Sequence, residues 1–131
     1  MDLKTQRLTC WEGNKLVYSF PCSSGRDGRL TPTGTYQVEE KMANWGWKDT
    51  LDFCDCGPTM PFKADHRKGE LFPRGNWAIH GWPKDETTNK WLDSPDLVGK
   101  QRFSDGCVEL LRSDDKKVYD WASIGTPVII R

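Results

Sequence analysis

The chain has 131 residues, 19 basic and 19 acidic, for a formal net charge of zero, with charged residues spread along its length. This length supports one hydrophobic core, so residues 1–131 are expected to form one domain. Even charge gives no basic stripe for nucleic acid or an anionic membrane, and the apolar runs are too short to span a bilayer. Met1-Asp2-Leu3-Lys4-Thr5 does not read as the start of a signal peptide. The expectation is a monomer with no nucleic-acid partner and no membrane span. It either starts in the cytoplasm or has lost a leader.

Arg7–Trp11 and Lys15–Phe20 flank Glu12-Gly13-Asn14 and read as a β-hairpin. A Gly/Ser-rich loop, 22–29, and the turn Thr31-Pro32-Thr33-Gly34 lead to an alternating strand, Thr35–Glu39. From Met42 to Gly75 no helical period emerges, which predicts an irregular excursion with short strands. Asn76–His80 is a short apolar strand ended by Gly81, and Pro83–Arg102 is a polar surface loop. In that loop Ser94 is placed to cap one turn begun by Pro95. A helix is predicted over Asp114–Ala122, with Ser113 as N-cap and Gly125 beyond its end. A last strand, Pro127–Ile130, is expected within the sheet.

Five cysteines stand at Cys10, Cys22, Cys54, Cys56 and Cys107. The odd count leaves at least one thiol free; the other four could form two disulfides in any of three pairings, or lie reduced and buried. Cys54-x-Cys56 is too closely spaced for a zinc knuckle and needs two further ligands, so no metal site and no cofactor is expected. Seven tryptophans exceed what a small core takes, so some should line a cleft.

The chemistry centres on Cys107, in Phe103-Ser104-Asp105-Gly106-Cys107-Val108-Glu109-Leu110, with His80 upstream in Ile79-His80-Gly81-Trp82. A cysteine attacks as its thiolate and needs a nearby base, which His80 supplies if the fold joins them. Gly106 permits a sharp turn that aims backbone N–H groups at a developing oxyanion. His66, among Asp65, Arg67 and Lys68, reads as solvated rather than as the base. Arg26, Arg29 and Lys41 could hold a carboxylate but read as surface charge.

In order, Gly25, Thr31-Pro32-Thr33-Gly34-Thr35-Tyr36, Ile79-His80-Gly81, Ser104-Asp105-Gly106-Cys107-Val108 and Thr126-Pro127-Val128 resemble the L,D-transpeptidase catalytic domain of the YkuD type. The resemblance covers nearly the whole chain. It implies a mostly β fold, a β-sandwich with one short C-terminal helix and long loops. It also implies a cysteine-dependent L,D-transpeptidase or L,D-carboxypeptidase acting on peptidoglycan tetrapeptide stems through a thioester. In this reading Cys107 and His80 are catalytic, Ser104, Gly106 and Gly81 shape the turn and oxyanion site, and Trp77, Trp82, Asp105 and Glu109 contact substrate.

Two departures carry further expectations. Asp105 stands where histidine is common, and Glu109 where many members carry arginine, which should repel rather than bind a substrate carboxylate. An acidic residue at 109 resembles a branch that includes toxins delivered by type VI secretion, which implies hydrolysis or exchange in a rival's periplasm and a possible immunity protein. The long stretch from His80 to Ser104 is expected to form a lid or partner surface. The contrasting expectation is a noncatalytic domain that binds peptidoglycan or a partner.

Overall fold

The computed structural model describes residues 1–48, 53–63 and 77–131. Strands β1 (Arg7–Glu12) and β2 (Lys15–Ser23) form the expected hairpin, with a bulge between Cys10 and Trp11. They enter a mixed sheet with β4 (Met42–Lys48), β5 (Phe53–Lys63), β6 (Trp77–Gly81) and β8 (Val108–Leu110), ordered β1-β2-β8-β6-β5-β4. The short β7 (Lys84–Asp85) adds to β5. Strand β3 (Gly34–Gln37) pairs instead with β9 (Pro127–Ile130), so the last strand lies in a second, two-stranded sheet rather than in the main one.

The sandwich follows from the two-residue period of its strands. Met60, Ile79 and Val108 are cross-strand neighbours on one face of the main sheet, and all three belong to the core. Val38, Val128 and Ile130 join that core, as do Val118 of helix α1 (Arg112–Trp121) and Ala122, its C-cap. The opposite face presents Ser23, Glu109, His80 and Thr59 in paired register, a polar row buried beneath the loops. Among the described residues no helix is long and apolar enough to cross a membrane.

The stretch read as an irregular excursion contains β4 and β5, and β5 sits between β4 and β6. Pro58, Pro61 and Gly57 hid this strand, since local signals mark them as breakers. Register slips in both of its pairings absorb them. Residues 49–52 and 64–76, including His66, lie outside the described residues. Ser94 does cap the short 3-10 turn Pro95–Leu97, accepting from Asp96 N–H at 3.4 Å. All five cysteines are free thiols, four of them buried.

Helix α1 begins two residues before the expected start, and Ser113 is not its cap; Leu111 holds that position without a side-chain bond. The cause is Arg112, drawn into the first turn by partners elsewhere. Its Nε donates to Trp82 O at 2.7 Å, Nη1 reaches Asp55 Oδ1 at 3.3 Å, and Nη2 donates to Asp55 O. The guanidinium lies against Gly57 and Gly81, where a Cβ would meet it at 2.2 and 2.4 Å. One side chain thus ties β5 and the end of β6 to the helix. At the other end, Lys41 Nζ donates to Tyr119 O and Ala122 O at 2.5 and 2.6 Å, neutralising the negative helix terminus. Lys41 is therefore a helix cap rather than a surface charge.

Replacing Arg112 with methionine is expected to lower stability by about 1–3 kcal/mol in urea unfolding, because part-buried acceptors lose their donor. Lysine, which lacks the planar fork, should not restore it. A second expectation concerns Asp115, fully buried with both carboxyl oxygens unpartnered and its pKa pushed up to about 8 by burial. A raised carboxyl pKa contributes stability below the unfolded value near 4 that is lost as pH rises through about 8. Asp115→Asn should therefore raise Tm by about 5 °C or more at pH 8, and by less than half of that at pH 5.

Candidate functional site

The turn that carries Cys107 is built from side-chain and backbone bonds on both sides. Ser104 Oγ donates to Cys107 O at 2.6 Å and accepts from Gly106 N–H at 3.1 Å, closing the four-residue loop on itself. The Gly/Ser-rich loop after β2 braces it from outside. Ser24 O accepts from Phe103 and Ser104 N–H at 2.8 and 3.1 Å, and Arg26 N–H returns a bond to Ser104 O at 2.9 Å. Thr31 Oγ1 then accepts from Gly25 N–H at 2.9 Å and donates to Gly106 O at 2.8 Å.

This bracing explains two glycines. Gly106 has φ +122°, and a Cβ there would lie 2.5 Å from Trp77 Nε1. At Gly25 a Cβ would meet Arg29 O at 2.0 Å and Gly106 Cα at 2.9 Å. The approach of the two loops requires both residues to lack side chains.

Parallel pairing of β6 with β8 sets Ile79 opposite Val108 and His80 opposite Glu109, two residues past Cys107. Cys107 immediately precedes β8, beside Ala78, whose backbone bonds to its thiol. The imidazole is buried, and its Nδ1 lies 2.9 Å from Gly81 O. A carbonyl only accepts, so Nδ1 carries the hydrogen and Nε2 keeps the lone pair. Trp45 stands over the ring at 6.4 Å between centroids.

The electrostatics keep both groups neutral at rest. Burial, with a smaller contribution from Arg112, takes His80 down to about 4 despite its bond to Gly81. Burial pushes the Cys107 thiol up to about 12, and Glu109 and Asp105 add to the shift. Cys107 is partly exposed, so water softens that penalty. A resting thiolate–imidazolium pair is thus disfavoured.

The other expected site residues separate into groups. Ser104 and Gly106 hold the turn as described, and Gly81, at the end of β6, instead bonds the imidazole through its carbonyl; the Gly106 N–H is committed to Ser104 and is no longer an open oxyanion donor. Trp77 borders the turn at Gly106 and is partly exposed. Asp105 is exposed and paired with Arg26 at 2.6 Å, a contact of small energetic weight at that exposure. Trp82 does not line a cleft: it is fully buried, its Nε1 donates to Asp93 O at 2.9 Å, and it packs on Phe103. It anchors the 83–103 segment instead. Glu109 is also no surface residue; it is 4% exposed, with Oε2 unpartnered, and burial beside Asp105 and Asp93 raises it to about 8. It therefore cannot act as the exposed anion expected from sequence.

Arg112, Trp45 and the hydroxyl relay at Thr31 were missed. Arg112 is the one with a local signal, an arginine followed by a serine and two acidic residues at a helix start. Among the described residues no group of three or more His, Cys, Asp or Glu is arranged to hold a metal ion, and Cys54 and Cys56 lie buried within β5.

No curated protein sequence matches the chain. Solved structures share its fold. An L,D-transpeptidase from Mycobacterium smegmatis superposes with a TM-score of 0.74 at 17% identity, over 99% of this chain and 56% of that one. A fused Zn-dependent amidase/peptidase/peptidoglycan-binding domain-containing protein from Clostridium acetobutylicum gives 0.71 at 22% identity, over 99% and 49%. L,D-transpeptidase 3 from Mycobacterium tuberculosis, in complex with a faropenem-derived adduct, gives 0.68 at 17%, over 99% and 57%. The chain spans about half the length of these proteins. The family model of the L,D-transpeptidase catalytic domain matches residues 1–130, the stretch that contains both braced loops and the His80–Cys107 strand pair. The chain belongs to the L,D-transpeptidase catalytic-domain family, of the YkuD type.

Proposed function

We propose that this domain is a cysteine acyltransferase acting on peptidoglycan stem peptides, cutting before the terminal D-alanine of a tetrapeptide through a thioester. The observation that supports the reading is the parallel pairing of β6 with β8, which sets His80 opposite Glu109, two residues past Cys107, with Nδ1 anchored on Gly81 O. Family membership supports it.

In this mechanism Sγ of Cys107 attacks the carbonyl of the third stem residue while its proton passes to His80 Nε2. The carbonyl electrons move onto oxygen. With Gly106 N–H already bonded, the Cys107 backbone N–H is the donor we assign to that oxyanion. Collapse breaks the C–N bond, and His80 returns the proton to the departing D-alanine amine. The thioester is then attacked by water, giving a tripeptide, or by an amine, giving exchange or a cross-link. His80 takes the nucleophile's proton in either case.

Cys107→Ala is expected to abolish D-alanine release from purified tetrapeptide muropeptides while leaving the circular dichroism spectrum unchanged; undiminished release would overturn the mechanism. A penem such as faropenem should add its mass to the wild-type protein and not to the alanine variant. Binding of muropeptide with neither turnover nor adduct would instead mark a noncatalytic binding domain. His80→Gln should cut the acylation rate by about 100-fold or more. With the imidazole pKa near 4, wild-type acylation should stay level down to about pH 5 and fall below it.

The acidic residue at 109 also motivates the finer reading of an antibacterial effector that hydrolyses or exchanges rather than cross-links, with an immunity protein as partner. Product chromatography separates the three outcomes. Lysis on periplasmic expression, absent from the cytoplasm and with Cys107→Ala, would support the effector role. Equal toxicity in both compartments would refute it.

A further inference from the structure

The polar row beneath the site contains a feature that the acyl-transfer chemistry leaves unused. Ser23, Glu109, His80 and Thr59 are paired across β2, β8, β6 and β5, all buried, on the face that carries Cys107. Thr59 Oγ1 donates to Gly57 O at 3.1 Å, and His80 Nδ1 bonds Gly81 O. Ser23 Oγ and Glu109 Oε2, which belong to residues paired in register, are both buried with no hydrogen-bond partner. A buried carboxylate in that position is costly, whereas the protonated acid is neutral and can both donate and accept.

We propose that Glu109 is a positioning residue of the Cys107–His80 pair and that it serves in its uncharged acid form, packing beside the imidazole without setting a negative charge next to the sulfur. This rests on the acyl-transfer reading above. The surroundings of Glu109 favour the acid. His80 faces it from β6 and is itself neutral; Ser23 faces it from β2; the thiols of Cys56 on β5 and Cys107 lie nearby. Asp93 and Asp105, from the segment and turn before β8, oppose its ionisation. The guanidinium of Arg112, at the start of α1, is engaged by Asp55 and Trp82 O. Among the described residues no cation is paired with Glu109. Burial and the two aspartates bring it to about 8, so the neutral form prevails up to that pH.

Above that pH a charge appears in the row with nothing to balance it. It disfavours thiolate at Cys107, two residues back along the same strand face. It also favours an imidazolium at His80, so overall turnover mixes two opposing effects, whereas alkylation of the sulfur isolates the first.

The test is the pH dependence of Cys107 alkylation by iodoacetamide, read at the Cys107 peptide by mass spectrometry, for wild type and Glu109→Gln between about pH 6 and 10. The amide holds the residue neutral throughout. The ratio of the rate at about pH 9.5 to that at about pH 6 should be at least about threefold greater in the variant, the effect of half a pKa unit at the thiol. Equal ratios would overturn the proposal. Carbon NMR of the glutamate carboxyls in the wild-type protein gives an independent measure should the variant fail to fold. One resonance should titrate near pH 8, and Glu109 titrating at the ordinary carboxylate value would overturn the proposal as well. If Cys107→Ala still released D-alanine while the alkylation ratio shifted as expected, the acyl-transfer reading would fail, and with it the positioning role. Loss of release in Cys107→Ala with equal ratios would sink only the role of Glu109.

Discussion

The parallel pairing of β6 with β8 is the constraint from which the site follows. Antiparallel neighbours can be joined by a tight turn, but parallel ones need a crossover that carries the chain back to the starting edge. Here the return is made by the segment between Gly81 and Val108, which explains the long separation of histidine and cysteine. The same register decides what lies beneath them. His80 sits opposite Glu109 and Ile79 opposite Val108, so one face receives the reactive and polar groups and the other receives the core. A slip of one residue would exchange the two faces and bury the polar row in the sandwich interior.

Two sets of braces hold this register against the irregular chain around it. On the cysteine side, Ser104 closes the turn and the 23–31 loop clamps it through Ser24, Gly25 and Thr31. On the histidine side, Arg112 binds the backbone of Trp82, just beyond β6, and of Asp55 within β5. The buried Trp82 then fixes the returning segment through Asp93. These are mostly bonds to backbone atoms, which fix the path of the chain and through it the placement of Sγ and the imidazole.

Buried titratable groups leave the molecule with opposing pH demands. His80, depressed to about 4, contributes stability above its ordinary value near 6.5 that is lost as pH falls toward 4. Glu109 and Asp115, raised to about 8, contribute stability at low pH that is lost as pH rises toward 8. The folded state carries all three because each is enclosed by packing that serves the strand register or the helix.

Much of this was legible from local signals. The hairpin, the Ser94 cap and the glycines at 25 and 106 each depend on residues whose geometry is special wherever they occur. Strand β5 was not legible, because Gly57, Pro58 and Pro61 read as breakers until partners on both sides supply register. Lys41 and Arg112 read as ordinary charges, since their acceptors are carbonyls distant in sequence. Trp82 and Glu109 read from sequence as substrate contacts because their side-chain chemistry suits binding. Residue type and short spacing are enough to mark the hairpin and the glycine turn before Cys107, and to single out Cys107 and His80 as candidates. Tertiary structure alone decided that Glu109 is a buried acid rather than a surface anion, and that Trp82 is an anchor. Burial and charge state come from what packs against a residue across the sheet, and that depends on strand order and register.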